Sequence, residues 1–114
     1  MKKKILLRTL LLFVMLSVTA PSWAVTIRGM PSCGAWVKDR ENKASGWPAM
    51  TNKTWLIGYL SGLSSGLGVE FWRKGGNTLD NESAYLWMDN YCRANPLKDT
   101  QDGADALFHE HTRK

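Results

Sequence analysis

Two kinds of apolar pattern divide this chain. The first is a single apolar run, Leu10 to Val18, broken only by Ser17. Lys2, Lys3, Lys4 and Arg8 precede it, and Pro21, then Ser22 and Ala24 around Trp23, follow it. A charged stretch, a short apolar stretch and a small-x-small site, in that order, spell a cleavable secretory signal of bacterial type over residues 1–24. A membrane span needs about 20 apolar residues, so no stable membrane insertion is expected after cleavage. Cys33 follows Met30-Pro31-Ser32 rather than an apolar-small-small run, which argues against lipid attachment.

The second pattern, over residues 25–114, is helical periodicity interrupted by turn residues, and it predicts one all-α domain of four helices. Val25 to Ser32 reads as an extended lead-in, with Ser32 as N-cap of a first helix from Cys33 to about Glu41, Trp36 and Val37 inward. Asn42 to Met50, containing Gly46-Trp47-Pro48, reads as a loop. A second helix is expected from about Asn52 to Leu67, with Leu56, Leu60, Leu63 and Leu67 as its core stripe. Gly68 to Asp80 reads as a loop around Gly75-Gly76-Asn77, briefly extended over Val69 to Trp72. A third helix, about Asn81 to Ala94, has Asp80 or Thr78 as N-cap, an inner face of Ala84, Trp87, Met88 and Tyr91, and an outer Asp89–Arg93 pair; Pro96 ends it. A fourth, from near Asp99 to about His111, has Ala104, Leu107, Phe108 and His111 as its stripe.

Charge and cysteines refine this picture. The full chain holds 15 basic and 10 acidic residues, but four basic ones lie in the secretory segment. The remaining 90 residues carry 11 basic and 10 acidic groups, a net charge of +1, so the basic balance belongs to the export signal and does not point to nucleic acid. A domain of this size buries a limited share of its surface. In an exported chain its two cysteines read as a Cys33–Cys92 disulfide rather than reactive thiols. Closing a loop of that length contributes roughly 4 kcal/mol, with the Cα atoms expected about 5.5–6 Å apart.

Candidate chemistry is sparse. His109-Glu110-His111 places its imidazoles about 200° apart on a helix, unlike the i, i+4 pair of zinc sites. No metal, cofactor or catalytic group is therefore expected. No nucleophile elbow, phosphate loop or dinucleotide fingerprint appears, and the domain reads as a non-enzyme. Asn52-Lys53-Thr54 and Asn81-Glu82-Ser83 match the glycosylation sequon, but in a bacterial protein they read as helix starts. Gly58, Gly62 and Gly66 recur at spacing four on the second helix. Glycine inside a helix costs about 1 kcal/mol against alanine, so the stripe is expected to be a seam against another backbone of the same chain, with a homodimer seam or ligand groove as the alternative. Trp47, Phe71 and Trp72 fall in expected loops and are candidate partner-binding residues, expected to converge into an aromatic patch at one end of the bundle.

The order Cys33, Gly58-Tyr59-Leu60-Ser61-Gly62, Tyr91-Cys92, Asn95-Pro96, then Ala104 and Leu107 resembles a group of small exported bacterial helical proteins. That group includes the HdeA-type acid-stress chaperones and the Tai-type immunity proteins. The likeness runs from Cys33 to about Phe108. Cys33 and Cys92 match the HdeA-type disulfide. The Gly-Tyr-x-x-Gly helix and the Tyr…Pro…Ala-x-x-Leu ending match the Tai-type pattern, whose further cysteines are absent here. The resemblance implies an HdeA-like fold and a non-enzymatic role, either blocking one folded partner or holding many clients at low pH. At very low pH the mature charge would rise to about +14, as solubility under acid requires. The expected compartment is the periplasm, or secretion beyond it, and the expected partner is protein.

Overall fold

The computed structural model describes residues 1, 3, 25–42 and 46–113; the secretory segment expected over residues 1–24 otherwise lies outside the described residues. Among these, four helices and one two-residue-per-strand hairpin follow in order: α1 (Cys33–Glu41), α2 (Trp47–Leu67), β1 (Arg73–Lys74), β2 (Asn77–Thr78), α3 (Asn81–Ala94) and α4 (Thr100–Thr112).

Local chemistry sets most helix boundaries. Three N-caps use their own side chains: Ser32 Oγ accepts from Ala35 N, Asp80 from Ser83 N and Asp99 from Asp102 N. Asn95 caps α3 one residue before Pro96, where a helix is sterically discouraged. The second helix departs from expectation by beginning at Trp47, not Asn52, because Pro48 stands in its first turn. The first-turn N–H groups have no intrahelical acceptor in any case, so proline is accommodated there. Consequently Asn52 is not a helix start: it lies inside α2, and its Nδ2 donates to Asp39 Oδ2. Asn81 does open α3.

The loop expected over 68–80 contains a hairpin. Arg73 pairs with Thr78 and Lys74 with Asn77, and Gly75 and Gly76 supply the two positive φ angles of the connecting turn. Regular strand pairing begins at Arg73, not at Val69. Before it, the Glu70 carboxylate accepts from the backbone N–H groups of Trp72 and Arg73.

The helices close a circuit: α1 packs on α3, α3 on α4, α4 on α2 and α2 on α1. Inside it lie Trp36, Leu56, Leu60, Phe71, Ala84, Met88, Ala104, Leu107 and Phe108. The Cys33–Cys92 disulfide is formed, and with its Cα atoms 4.8 Å apart it holds α1 closer to α3 than expected. The α2 stripe enters the core only at Leu56 and Leu60; Leu63 is half-buried and Leu67 is exposed.

The inner face of α3 is rotated from the expected one. Tyr85 and Asp89 are buried, while Trp87 and Tyr91 stack on one another, half-buried. Asp89 does not pair outward with Arg93. It accepts from Trp36 Nε1 at 2.7 Å and takes three bonds from the Arg40 guanidinium, two of them from Nε. Arg93 instead lies 3.9 Å from Glu41.

No helix among the described residues is long and apolar enough to cross a membrane.

Candidate functional site

The three glycines of α2 form no seam with another backbone among the described residues. A Cβ built at Gly58, Gly62 or Gly66 would have nothing within 4 Å. Spacing placed these residues on one face, but that face points away from α1 and α4. It is an open groove lined by Gly58, Tyr59, Gly62, Leu63, Gly66 and Leu67. The one ionisable side chain in that lining is Tyr59, whose hydroxyl donates to Asp105 Oδ1 at 2.8 Å. Burial, reinforced by that carboxylate, pushes the phenol up to about 12.

The close-packing glycine is Gly103, on α4. A Cβ there would meet Met88 Sδ at 2.6 Å and Tyr91 Cδ1 at 2.8 Å. The Asp102-Gly103-Ala104 sequence gave no periodic sign of this contact.

The aromatic candidates separate. Trp47 is 75% exposed, with Met50 also exposed one turn on. Phe71 is fully buried: it stacks on Phe108 with ring centroids 5.3 Å apart, and His111 lies edge-on at 5.4 Å. Trp72 is half-buried, edge-on to Phe71. Phe71 and Trp72 therefore close the end of the core under the hairpin and do not form a surface patch with Trp47. Trp47 opens α2 and Phe71 follows its end, so about 30 Å of helix lies between them. Lys74 fastens the hairpin over this plug by donating to the carbonyls of His111 and Arg113. His111 is thus half-buried rather than solvated, with Nε2 lacking a hydrogen-bond partner among the described residues.

A second groove crosses the disulfide between α1 and the end of α3, past Val37, Lys38, Glu41 and Arg93. Its rim is charged, and part of that charge is already paired through Glu41 and Arg93.

The residues that sequence reasoning missed are Asp89, Arg40 and Tyr85. The Arg40 guanidinium is held above its ordinary pKa chiefly by its hydrogen bonds to Asp89. Burial, then the Glu82 charge, raises the Tyr85 phenol, whose ring also lies 5.0 Å from Lys53 Nζ. The sequence signal for this group was faint: an acidic residue one position from the apolar Met88, with its partner arginine on another helix.

No family model, curated protein or solved structure matches this chain.

Proposed function

We propose that this is a non-enzymatic, exported protein-binding protein of the periplasm that engages one folded partner through the outer face of α2, in the manner of an immunity-type inhibitor or an envelope or secretion accessory. One observation carries the reading. Three glycines inside one helix each cost about 1 kcal/mol of helix stability against alanine, yet nothing in the described chain approaches them within 4 Å. Removing side chains from one helix face is useful where another backbone comes close. Here that backbone belongs to a partner. The groove's uncharged lining suits a dry protein interface, and exposed Trp47 and Met50 extend apolar surface toward the start of the same helix.

A second reading is an HdeA-like acid-stress chaperone that binds many clients. It is favoured by the buried Asp89 carboxylate, which joins α3 to Trp36 and Arg40 of α1. Its ion pair with Arg40 is one of several links between these helices, beside the Cys33–Cys92 bond and the Arg93–Glu41 pair.

The test is capture from periplasmic extract at neutral and acidic pH with the mature protein as bait, followed by affinity measurement on the purified partner. One dominant protein at neutral pH, bound about 30-fold or more weakly by Gly62→Leu, is the expected result. Many proteins captured only in acid would favour the chaperone reading. Sedimentation of the bait alone shows whether the face pairs two copies of this chain.

A further inference from the structure

The segment before α1 crosses α2 and ends at the start of α4, and its two ends are held very differently. At the far end, Pro31 O accepts from both the N–H and the hydroxyl of Thr100. Ser32 pairs with Asp99, and Cys33 N donates to Lys98 O. At the near end there is one polar contact among the described residues, from Trp55 Nε1 to Arg28 O at 3.0 Å. Beside it Gly29 adopts φ +80°, and a Cβ there would meet Trp55 Cδ1 at 3.3 Å. Within residues 25–30 only Ile27 is half-buried; the others are exposed.

What this segment covers adjoins the groove. The Trp55 ring stacks on Tyr59 with centroids 5.0 Å apart and planes at 10°, and Tyr59 lines the groove. Trp55 is therefore the covered end of a face that continues openly along Tyr59, Gly62, Leu63, Gly66 and Leu67.

We propose that residues 25–30 are a hinged strap, pivoting at Pro31, whose docking on Trp55 sets how much of the apolar face of α2 is open. The proposal rests on reading that face as the partner surface and adds its control. Docked, the strap ends the face at Tyr59; released, it joins the Trp55 indole to it. Proline with a doubly held carbonyl makes a firm pivot, because its ring fixes φ. A single neutral hydrogen bond contributes little net stability, so the strap opens locally, without unfolding the helices.

Hydrogen exchange of the tryptophan indole N–H groups, followed by NMR, tests this. Trp36 is the internal reference, since its indole donates to buried Asp89. In the unsubstituted protein, the Trp55 indole should exchange about tenfold or more faster than that of Trp36, through an opening insensitive to low denaturant. Gly29→Val should accelerate Trp55 exchange about tenfold further, leave Trp36 unchanged and raise binding of the apolar probe bis-ANS. If Gly29→Val fails to fold, the unsubstituted protein decides alone. Equal exchange rates and equal denaturant dependence for the two indoles would overturn the strap, as would a Trp55 indole that exchanges as fast as free indole. A folded Gly29→Val chain with unchanged Trp55 exchange would do the same. None of these results touches partner binding, whereas a Gly62→Leu chain that binds its partner normally would sink the reading of the face and leave the strap standing.

Discussion

Gly103 and Gly62 sit on packed neighbours, α4 and α2, and meet opposite surroundings. At Gly103 the missing side chain lets α4 lie against Met88 and Tyr91 of α3. At Gly62, as at Gly58 and Gly66, the missing side chain leaves empty space. The first glycine serves the fold, and its contact lies within the chain. The other three weaken their own helix and gain nothing from the described residues. The comparison extends to the two sides of the molecule: α1, α3 and α4 present buried, cross-linked and hydrogen-bonded faces, while α2 is buried at Leu56 and Leu60 and otherwise largely open.

The largest expected effect tests the inner side. Asp89→Ala strands the Arg40 guanidinium and the Trp36 indole N–H and should lower stability by about 3 kcal/mol or more, measured by urea unfolding. A loss below about 0.5 kcal/mol, typical of surface sites, would show that the α1–α3 contact does not depend on its ion pair.

The same substitution at two glycines sharpens the contrast. Gly103→Ala should destabilise by about 1–3 kcal/mol, because the Met88 thioether can swing aside but the Tyr91 ring edge has less freedom. Gly62→Ala should stabilise by about 0.5–1 kcal/mol, since it removes a helix-weakening residue and meets no neighbour. Equal signs in the two melting curves would erase the distinction.

These predictions mark where the sequence was legible. Ser32, Asp80 and Asp99 are caps because a short polar side chain bonds a backbone N–H three residues on, a relation visible locally. The Cys33–Cys92 bond was legible from the cysteine count together with the expectation of export. Spacing identified the face shared by Gly58, Gly62 and Gly66, but it carries no information about what stands opposite, and among the described residues nothing stands there. Phe71 was misplaced for a related reason: its loop position is local, whereas its burial depends on Phe108, far along the chain. Asp89 had a plausible partner four residues away in Arg93, and the actual one, Arg40, lies 49 positions distant. Trp47 was assigned to a loop because Gly46 and Pro48 also mark helix beginnings.

The smallest expected effect concerns pH and belongs to the boundary between the two sides, where Tyr59 links the open face of α2 to Asp105. Its phenol is raised from 10.0 to about 12, so the folded state retains a proton that the unfolded state releases more readily. That contribution is fully present below pH 10 and is lost as pH rises from 10 through about 12. Tyr59→Phe should flatten this alkaline decline in melting temperature while leaving the neutral-pH groove open. An unchanged decline would assign it to other groups, with Tyr85, also raised by burial, the first to examine.

In polymer terms the oxidised chain is a ring, with the strap segment entering it at Cys33 and a tail leaving it at Cys92. The ring closes at Cys33 and Cys92, which are 59 positions apart, and α2, the hairpin and most of α3 lie within it. The tail carries α4, which supplies Gly103, Ala104, Leu107 and Phe108 to the core. Unfolding cannot separate the two ends of the ring, but nothing covalent keeps the tail beside it. Ring closure thus lowers the entropy that α1, α2 and α3 lose on assembling, whereas α4 must dock by its own burial. Leu97, fully exposed in the connection between ring and tail, is where a protease could cut without first opening a helix. Such a cut would turn the last helix into a separate peptide, and its affinity for the ring would measure directly what the tail contributes.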